Sequence, residues 1–328
     1  MASKLRVVLL QPDFSRYNGA YYQHDFAVAL SRRHRVFRYG RGLDGYDPGH
    51  TLDDVLGACP FDPDLICFGA GWEVEDMREP EFDPHPNIRV AGSGIAAVMV
   101  LNKEYKKLDR KLAFVRDNGL RMVFTVHHDH GKWSKETGVP FVRFPFGVDE
   151  TRFRDYGEPK RYALGFSGAT HRRWTDVRER IKERLFVRWP LKRRRYWGTP
   201  VYWSEWGGLP GLRPPAREAY GRLLNSSKAW ISTPSAADIV GPRFLEVLAS
   251  RTLLLCSRSP VYGDLLTDRE NCVMFEPDLQ DFDDKVFSVL RRNEEREAIV
   301  RNARAQVLEN HTWERRVEQF TSAVNAVV

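Results

Sequence analysis

Asp238 and Glu246 stand eight positions apart, with Gly241 between them and Arg243 three residues before the glutamate. Glycine permits close approach of backbone to a bulky ligand. A carboxylate at the start of a helix can accept two hydrogen bonds from vicinal hydroxyls such as those of a ribose, and an arginine can hold a phosphate through two parallel N–H bonds. A helix beginning around Gly241 to Phe244 would add unpaired N–H groups and a positive dipole end. Residue types and spacing therefore suit an anionic ligand that also carries hydroxyl groups. The same acids also fit a plainer role, as a first-turn helix acid and an N-cap-like residue.

Three other clusters carry chemistry. Ser167-Gly168-Ala169-Thr170-His171-Arg172-Arg173 reads as a strand-to-loop turn that carries a second supply of cations in Arg172 and Arg173. His127-His128-Asp129-His130 follows an apolar strand pattern expected at the middle of a sheet, and such strand ends face the ligand cleft in α/β folds. His128 and Asp129 are candidates for a general base or a sugar contact, with structural histidines as the alternative. Neighbours on an extended segment point opposite ways, so the four are not expected to converge on a metal, although His128 and His130 would share a face. Gly92-Ser93-Gly94-Ile95-Ala96-Ala97 matches the dinucleotide pattern GxGxxA. It lies outside the first βα unit, and the acid nearest to the ribose-binding place is Asp117.

Read together, these pieces resemble group-1 glycosyltransferases of the GT-B fold. Their acidic-x7-Glu motif is usually Glu-Gly-Phe-Gly…Glu-Ala. Here Asp238 takes the first acidic place, Gly241 the second glycine and Glu246 the second glutamate, while Ile239 replaces the first glycine. Glu270-Asn271-Cys272-Val273 and His311-Thr312-Trp313-Glu314-Arg315 continue in the family's order, and Phe146-Gly147-Val148-Asp149 is similar to its interdomain "GVD" linker. The spellings around Gly241 and His311 are closest to the spore-maturation-type branch. Tyr17-Asn18-Gly19-Ala20 resembles the family's N-terminal Gly-Gly loop. The resemblance covers about residues 140 to 325 well and the first half loosely. It implies a UDP- or GDP-sugar donor held by Gly19, Ser167, Gly168, Arg172, Arg173, Gly241, Arg243, Phe244 and Glu246. It further implies transfer with retention, His128, Asp129 and Asp238 as catalytic candidates, and neither an essential metal nor another cofactor. If the reaction inverts instead, Asp129 or a neighbouring histidine becomes the base.

The elements that must position these residues alternate along the chain. Apolar strand patterns at Leu5 to Leu10, Arg35 to Tyr39, Pro63 to Gly69 and Arg121 to Val126 are separated by helical stretches at about Tyr21 to Ser31 and Lys103 to Asn118. The pattern restarts at Tyr162 to Ser167, then Lys228 to Thr233, Thr252 to Ser257 and Cys272 to Phe275, with helices from Thr175 and Pro242 and two or three more after Phe282. Strands too apolar to face water imply parallel sheets covered by helices. The fold class expected is α/β, GT-B: two Rossmann-like doubly wound domains with an interdomain cleft. The domains are placed at residues 1–146 on the acceptor side and 147–310 on the nucleotide-sugar side, followed by a helix at 311–328 that packs back towards the first.

Composition sets the outer limits. With 328 residues, 42% hydrophobic and 29% charged, the chain is globular, neither disordered nor fibrous. No run approaches the 18 or so apolar residues of a spanning helix. Four cysteines without CxxC spacing read as reduced thiols, and the expected location is cytoplasmic. The net charge of +7 is local. Arg161 to Arg195 holds ten arginines and two lysines against three acids, a surplus of nine, and tryptophans and tyrosines follow it. One donor needs only part of that charge; the remainder points to an anionic acceptor or membrane surface along residues 172–206. Two other functions compete: an NAD-type oxidoreductase built on the Gly92 loop, and a nucleic-acid-binding module built on residues 161–206. The rest of the chain is close to neutral, which makes nucleic acid the less favoured partner.

Overall fold

The computed structural model describes residues 4–15, 20–69, 87–101, 103–104, 106–170, 176–186, 200–205, 217–235 and 237–328. They form two compact units, Met1–Pro145 with Trp313–Val328, and Phe146–Thr312.

The first unit holds strands β1 (Arg6–Leu10), β2 (Arg35–Tyr39), β3 (Leu65–Phe68), β4 (Ala96–Leu101), β5 (Met122–Thr125) and β6 (Phe141–Arg143), with helices α1 (Tyr21–Arg33), α2 (Leu52–Ala58), α3 (Leu108–Asp117) and α4 (His130–Thr137) between them. All pairings are parallel, in the order β2-β1-β3-β4-β5-β6. Val7 to Leu10 and all four residues of β3 are buried, because helices cover both faces of the sheet. β5 is next to the edge strand rather than central. Helix α3 starts at Leu108 and not at Lys103, since Lys103 and Lys107 adopt left-handed φ of 49° and 50° and break the helical path before it. Gly92 and Gly94, at φ of 80° and 76°, turn the chain into β4. The GxGxxA run therefore leads into a strand, whereas a dinucleotide fingerprint opens a helix.

The chain returns to this unit in helix α10 (Trp313–Val324). Phe26 of α1 packs edge-on against Phe144 and Phe320 and tilted against Trp313, at centroid distances of 6.0, 5.7 and 5.9 Å. Beside this aromatic core lies buried His34. Its Nδ1 accepts the Leu5 N–H at 3.2 Å, so the ring proton sits on Nε2, 2.7 Å from the Thr321 hydroxyl, which itself donates to the Val317 carbonyl. Burial, with Arg33 and Lys4 nearby, holds the His34 pKa below its ordinary value. The unfolded chain then takes up a proton below about pH 6.5 that the folded chain refuses, so stability falls as pH drops below that point. The expected slope is up to about 1.4 kcal/mol per pH unit. Urea melts between pH 7.5 and 5 should show it, and H34Q should flatten it; an unchanged slope in H34Q would count against this assignment.

The second unit holds β7 (Tyr162–Gly168), β8 (Val201–Glu205), β9 (Ser227–Ser232), β10 (Leu253–Ser257) and β11 (Val273–Phe275), again all parallel, in the order β11-β10-β9-β7-β8. Its helices among the described residues are α5 (Asp176–Phe186), α6 (Arg217–Asn225), α7 (Arg243–Ala249), α8 (Phe282–Arg291) and α9 (Asn293–Asn310), with a 3-10 turn at Pro260–Leu265. The two Rossmann-like sheets give the chain the GT-B architecture. No helix among the described residues is long and apolar enough to cross a membrane.

Candidate active site

Parallel α/β sheets present ligand sites at the carboxyl ends of their strands. In the second unit that edge is built from the ends of β7 and β9 and the start of α7. The Ser167 hydroxyl and the Tyr220 hydroxyl of α6 are 2.9 Å apart, and Tyr220 accepts Arg243 Nε at 3.1 Å. Burial pushes the Tyr220 pKa up, so it remains a phenol able to accept from the arginine and donate to the serine. Arg178 of α5 is buried and donates to the Thr233 hydroxyl at 2.7 Å, to the Thr233 and Pro234 carbonyls at 2.9 and 3.3 Å, and to the Ala169 carbonyl at 3.0 Å. It ties the turn after β7 to the loop after β9. Burial first, and Arg243 second, hold its pKa down to about 10, which leaves it charged at neutral pH.

The two guanidinium groups meet the main chain at Gly168. A Cβ there would lie 3.0 Å from Arg243 Nη1 and 3.6 Å from Arg178 Nη1. Two like charges brought to one strand end raise the electrostatic free energy of the empty protein, and an anion seated there would lower it.

Glu246 lies one turn into α7 and is buried. Gly241, just before that helix, would carry a Cβ that meets no atom within 4 Å, so the chain's own packing does not require glycine there. Asp238 is exposed, at a left-handed φ of 53°, in a tight loop where Ser235 accepts the Ile239 N–H through its hydroxyl and the Asp238 N–H through its carbonyl. Phe244 departs from expectation. Its ring is buried against Tyr262 at 5.5 Å, and its N–H is already bonded to the Gly241 carbonyl at 3.3 Å. In the seven-residue helix α7, then, the Phe244 side chain packs into the core.

In the first unit the His127 cluster follows β5, but it is not extended. It turns into α4, and the His127 and His128 rings stack at 4.3 Å with 20° between their planes. The expected alternation fails because the main chain bends, the Asp129 N–H donating to His127 Nδ1 at 3.0 Å. His128 Nε2 lies 3.5 Å from Asp129 Oδ1, and both side chains are more than a third exposed. Ligand atoms of His127, His128 and Asp129 lie within 4.8 Å of one another. Nearly parallel rings do not direct both in-plane lone pairs to one point at a Zn–N bond length of about 2 Å, so the arrangement suits hydrogen bonding better than a metal.

The structure thus brings together Ser167, Gly168, Arg243 and Glu246 in one unit, and His128 and Asp129 in the other. Gly19, Arg172 and Arg173 lie outside the described residues. Sequence reasoning missed Arg178, Tyr220 and Thr233, and also Glu104, which is buried and accepts the Thr125 hydroxyl. Only Arg178 left a trace, as one arginine in a charge run.

Residues 172–322 match the family model described as glycosyl transferase-like. No curated protein matches the chain by sequence. Among solved structures, sucrose-phosphate synthase from Thermosynechococcus elongatus superposes with a TM-score of 0.64 at 12% identity, covering 99% of each chain. HepE of Anabaena, in complex with UDP and glucose, gives 0.60 at 10% identity, covering 98% of this chain and all of that one. A glycosyltransferase from Rickettsia africae gives 0.57 at 11%, covering 99% and 98%. At such identities the likeness establishes the fold.

Proposed function

We propose that the chain is a glycosyltransferase, a reading supported by the family match over residues 172–322 and by the GT-B fold, and that it transfers a sugar from a UDP-sugar to an acceptor hydroxyl with retention. HepE binds UDP and UDP-glucose, which favours uracil over guanine as the base. The observation that carries the reading is the convergence of Arg243 and Arg178 on Gly168, with Glu246 buried three residues beyond Arg243.

Arg243 grips the diphosphate, Arg178 holds the surrounding loops and adds charge, and Glu246 accepts the ribose hydroxyls. Gly241 leaves room for the donor to approach. As the bond from the anomeric carbon to the diphosphate oxygen breaks, the sugar gains oxocarbenium character and the diphosphate gains negative charge. Fixed cations stabilise that charge more in the transition state than in the ground state. The acceptor oxygen bonds to the anomeric carbon on the face the diphosphate leaves, and the acceptor proton passes to the departing oxygen. These cations do the work an essential metal would otherwise do. Asp238, exposed on its loop, contacts the transferred sugar, and in the first unit His128 and Asp129 are the catalytic candidates on the acceptor side. The first unit takes the acceptor.

Glu246→Ala tests the donor site. Calorimetry should show UDP affinity at least about tenfold weaker, since two charge-assisted hydrogen bonds are lost. The wild-type preference for UDP over its 2′,3′-dideoxy analogue should vanish with it. A folded variant that keeps both affinity and preference rules this site out.

A further inference from the structure

The turn carrying His128 and Asp129 is fastened from beneath by a residue distant in sequence. Thr125, the buried last residue of β5, accepts the His127 N–H on its hydroxyl at 3.2 Å and donates the hydroxyl proton to Glu104 Oε1. His127 in turn accepts the Asp129 N–H on Nδ1, stacks against His128 and lies tilted against Trp133 at 4.9 Å. Glu104 follows β4, the neighbouring strand, and only 1% of its surface is exposed. An aligned series therefore runs from Glu104 through Thr125 to the backbone of His127 and on to that of Asp129.

A carboxyl group in so dry a place is costly to maintain as mere filling, because its charge or its polar atoms need compensation. Burial pushes the Glu104 carboxyl above the usual carboxylate range, against the opposing pull of the Thr125 bond and of Lys111. Lys111 is itself buried and donates to the Lys103 carbonyl at 3.2 Å, which fixes the start of the segment bearing Glu104. Ordering the acid thus orders the turn: without an acceptor at Glu104 the Thr125 hydroxyl is free to rotate, and the His127 N–H loses its oriented partner.

We propose that Glu104 is a positioning residue for the reaction: through Thr125 it holds the 126–129 turn so that His128 and Asp129 meet the substrate in one fixed geometry. The proposal rests on the reading of that turn as part of the active site, and the experiment separates the two. Turnover is read as UDP released from UDP-glucose, by hydrolysis where no acceptor is supplied, and UDP affinity by calorimetry. Glu104→Ala and Thr125→Val should each slow turnover by about tenfold, the scale of a misplaced reacting group, with UDP affinity unchanged. Their combination should cost no more than either alone, since both break one bond series. Glu104→Gln, whose amide oxygen still accepts the Thr125 proton, should stay within about twofold of wild type. In an H128A/D129A background, E104A should have no further effect.

Full turnover in folded E104A and T125V overturns the proposal. So does a loss of equal size in the H128A/D129A background, which would mark a general structural role. If H128A/D129A itself turns over normally, the active-site reading of the turn fails, and the proposal with it. T125V, which removes one hydroxyl at nearly constant shape, keeps the test decisive should E104A not fold.

Discussion

Arg243→Ala is expected to weaken UDP binding by about two orders of magnitude while leaving the melting temperature of the unliganded protein unchanged or slightly higher. The two halves of this result come from one geometry. Arg243 spends its Nε proton on the Tyr220 hydroxyl and directs Nη1 towards Gly168, where Arg178 already stands. In the empty protein this is a like-charge pair, and it lowers the Arg178 pKa. Removing one member relieves the repulsion, which offsets the packing lost with the side chain. In the presence of a diphosphate the sign reverses. A charge-assisted, bidentate phosphate contact contributes about 1.5–3 kcal/mol, and in a partly buried site it reaches the upper end of that range. Arg178 can substitute only in part, because four of its five N–H groups are directed to Ala169, Thr233 and Pro234. Thermal shift with and without UDP separates the effects: the wild type should gain stability with ligand and R243A should not. A variant that melts well below wild type yet keeps its UDP-dependent gain would show Arg243 to be structural.

How much of this site the amino-acid order discloses depends on sequence distance. Gly241, Arg243 and Glu246 lie within six residues, so their spacing is local and legible. Arg178, Tyr220 and Thr233 come from α5, α6 and the end of β9, and only the pairing of β7 with β9 brings them to Ser167 and Gly168. Such partners have no local signature. Glu104 is the same case in the first unit, since the parallel pairing of β4 with β5 places it under Thr125. Apolar runs such as Val7 to Leu10 and Leu253 to Cys256 were legible as strands, whereas the equally apolar β4, Ala96–Leu101, was not, because its first residues completed the GxGxxA pattern. β8 was not, because Val201–Glu205 is half exposed at a sheet edge and reads VYWSE, an aromatic run without alternation. Helix α2 did leave a signal: Thr51 and Asp54 form a reciprocal capping box, the Asp54 carboxylate accepting the Thr51 N–H at 2.8 Å, and that pattern is visible as Thr-Leu-Asp-Asp. The direction of the Phe244 side chain was not legible for a different reason. A motif marks which positions matter, but on a helix this short the side chain three residues past Gly241 turns to the core.

Gly165→Ala should be among the most destabilising single-methyl substitutions in the second unit, and it should also disturb the donor site. Gly165 sits in β7 between Tyr202 of β8 and Trp230 of β9, paired in register with both. The two rings lie nearly parallel, 5.8 Å apart, across a glycine that offers no side chain to hold them off. A Cβ at 165 would lie 2.0 and 2.2 Å from Trp230 Cε3 and Cζ3. Trp230 is fully buried, so the indole cannot swing into solvent, and either the strand or the ring must move against close-packed neighbours. Overpacking of this kind costs about 3 kcal/mol, or about 10 °C in melting temperature for a unit of this size. Trp230→Leu alone should cost a similar amount through the cavity it leaves. The double variant should be less destabilised than the sum, because the new methyl occupies space the indole gave up. The same ring meets Tyr220 edge-on at 6.2 Å, and Tyr220 is what orients Arg243. Displacing the indole therefore tilts the phenol that aims Arg243, so G165A should bind UDP more weakly even at temperatures where it is fully folded. A variant melting within a degree of wild type would show that the sheet yields locally and that Trp230 transmits nothing to the site.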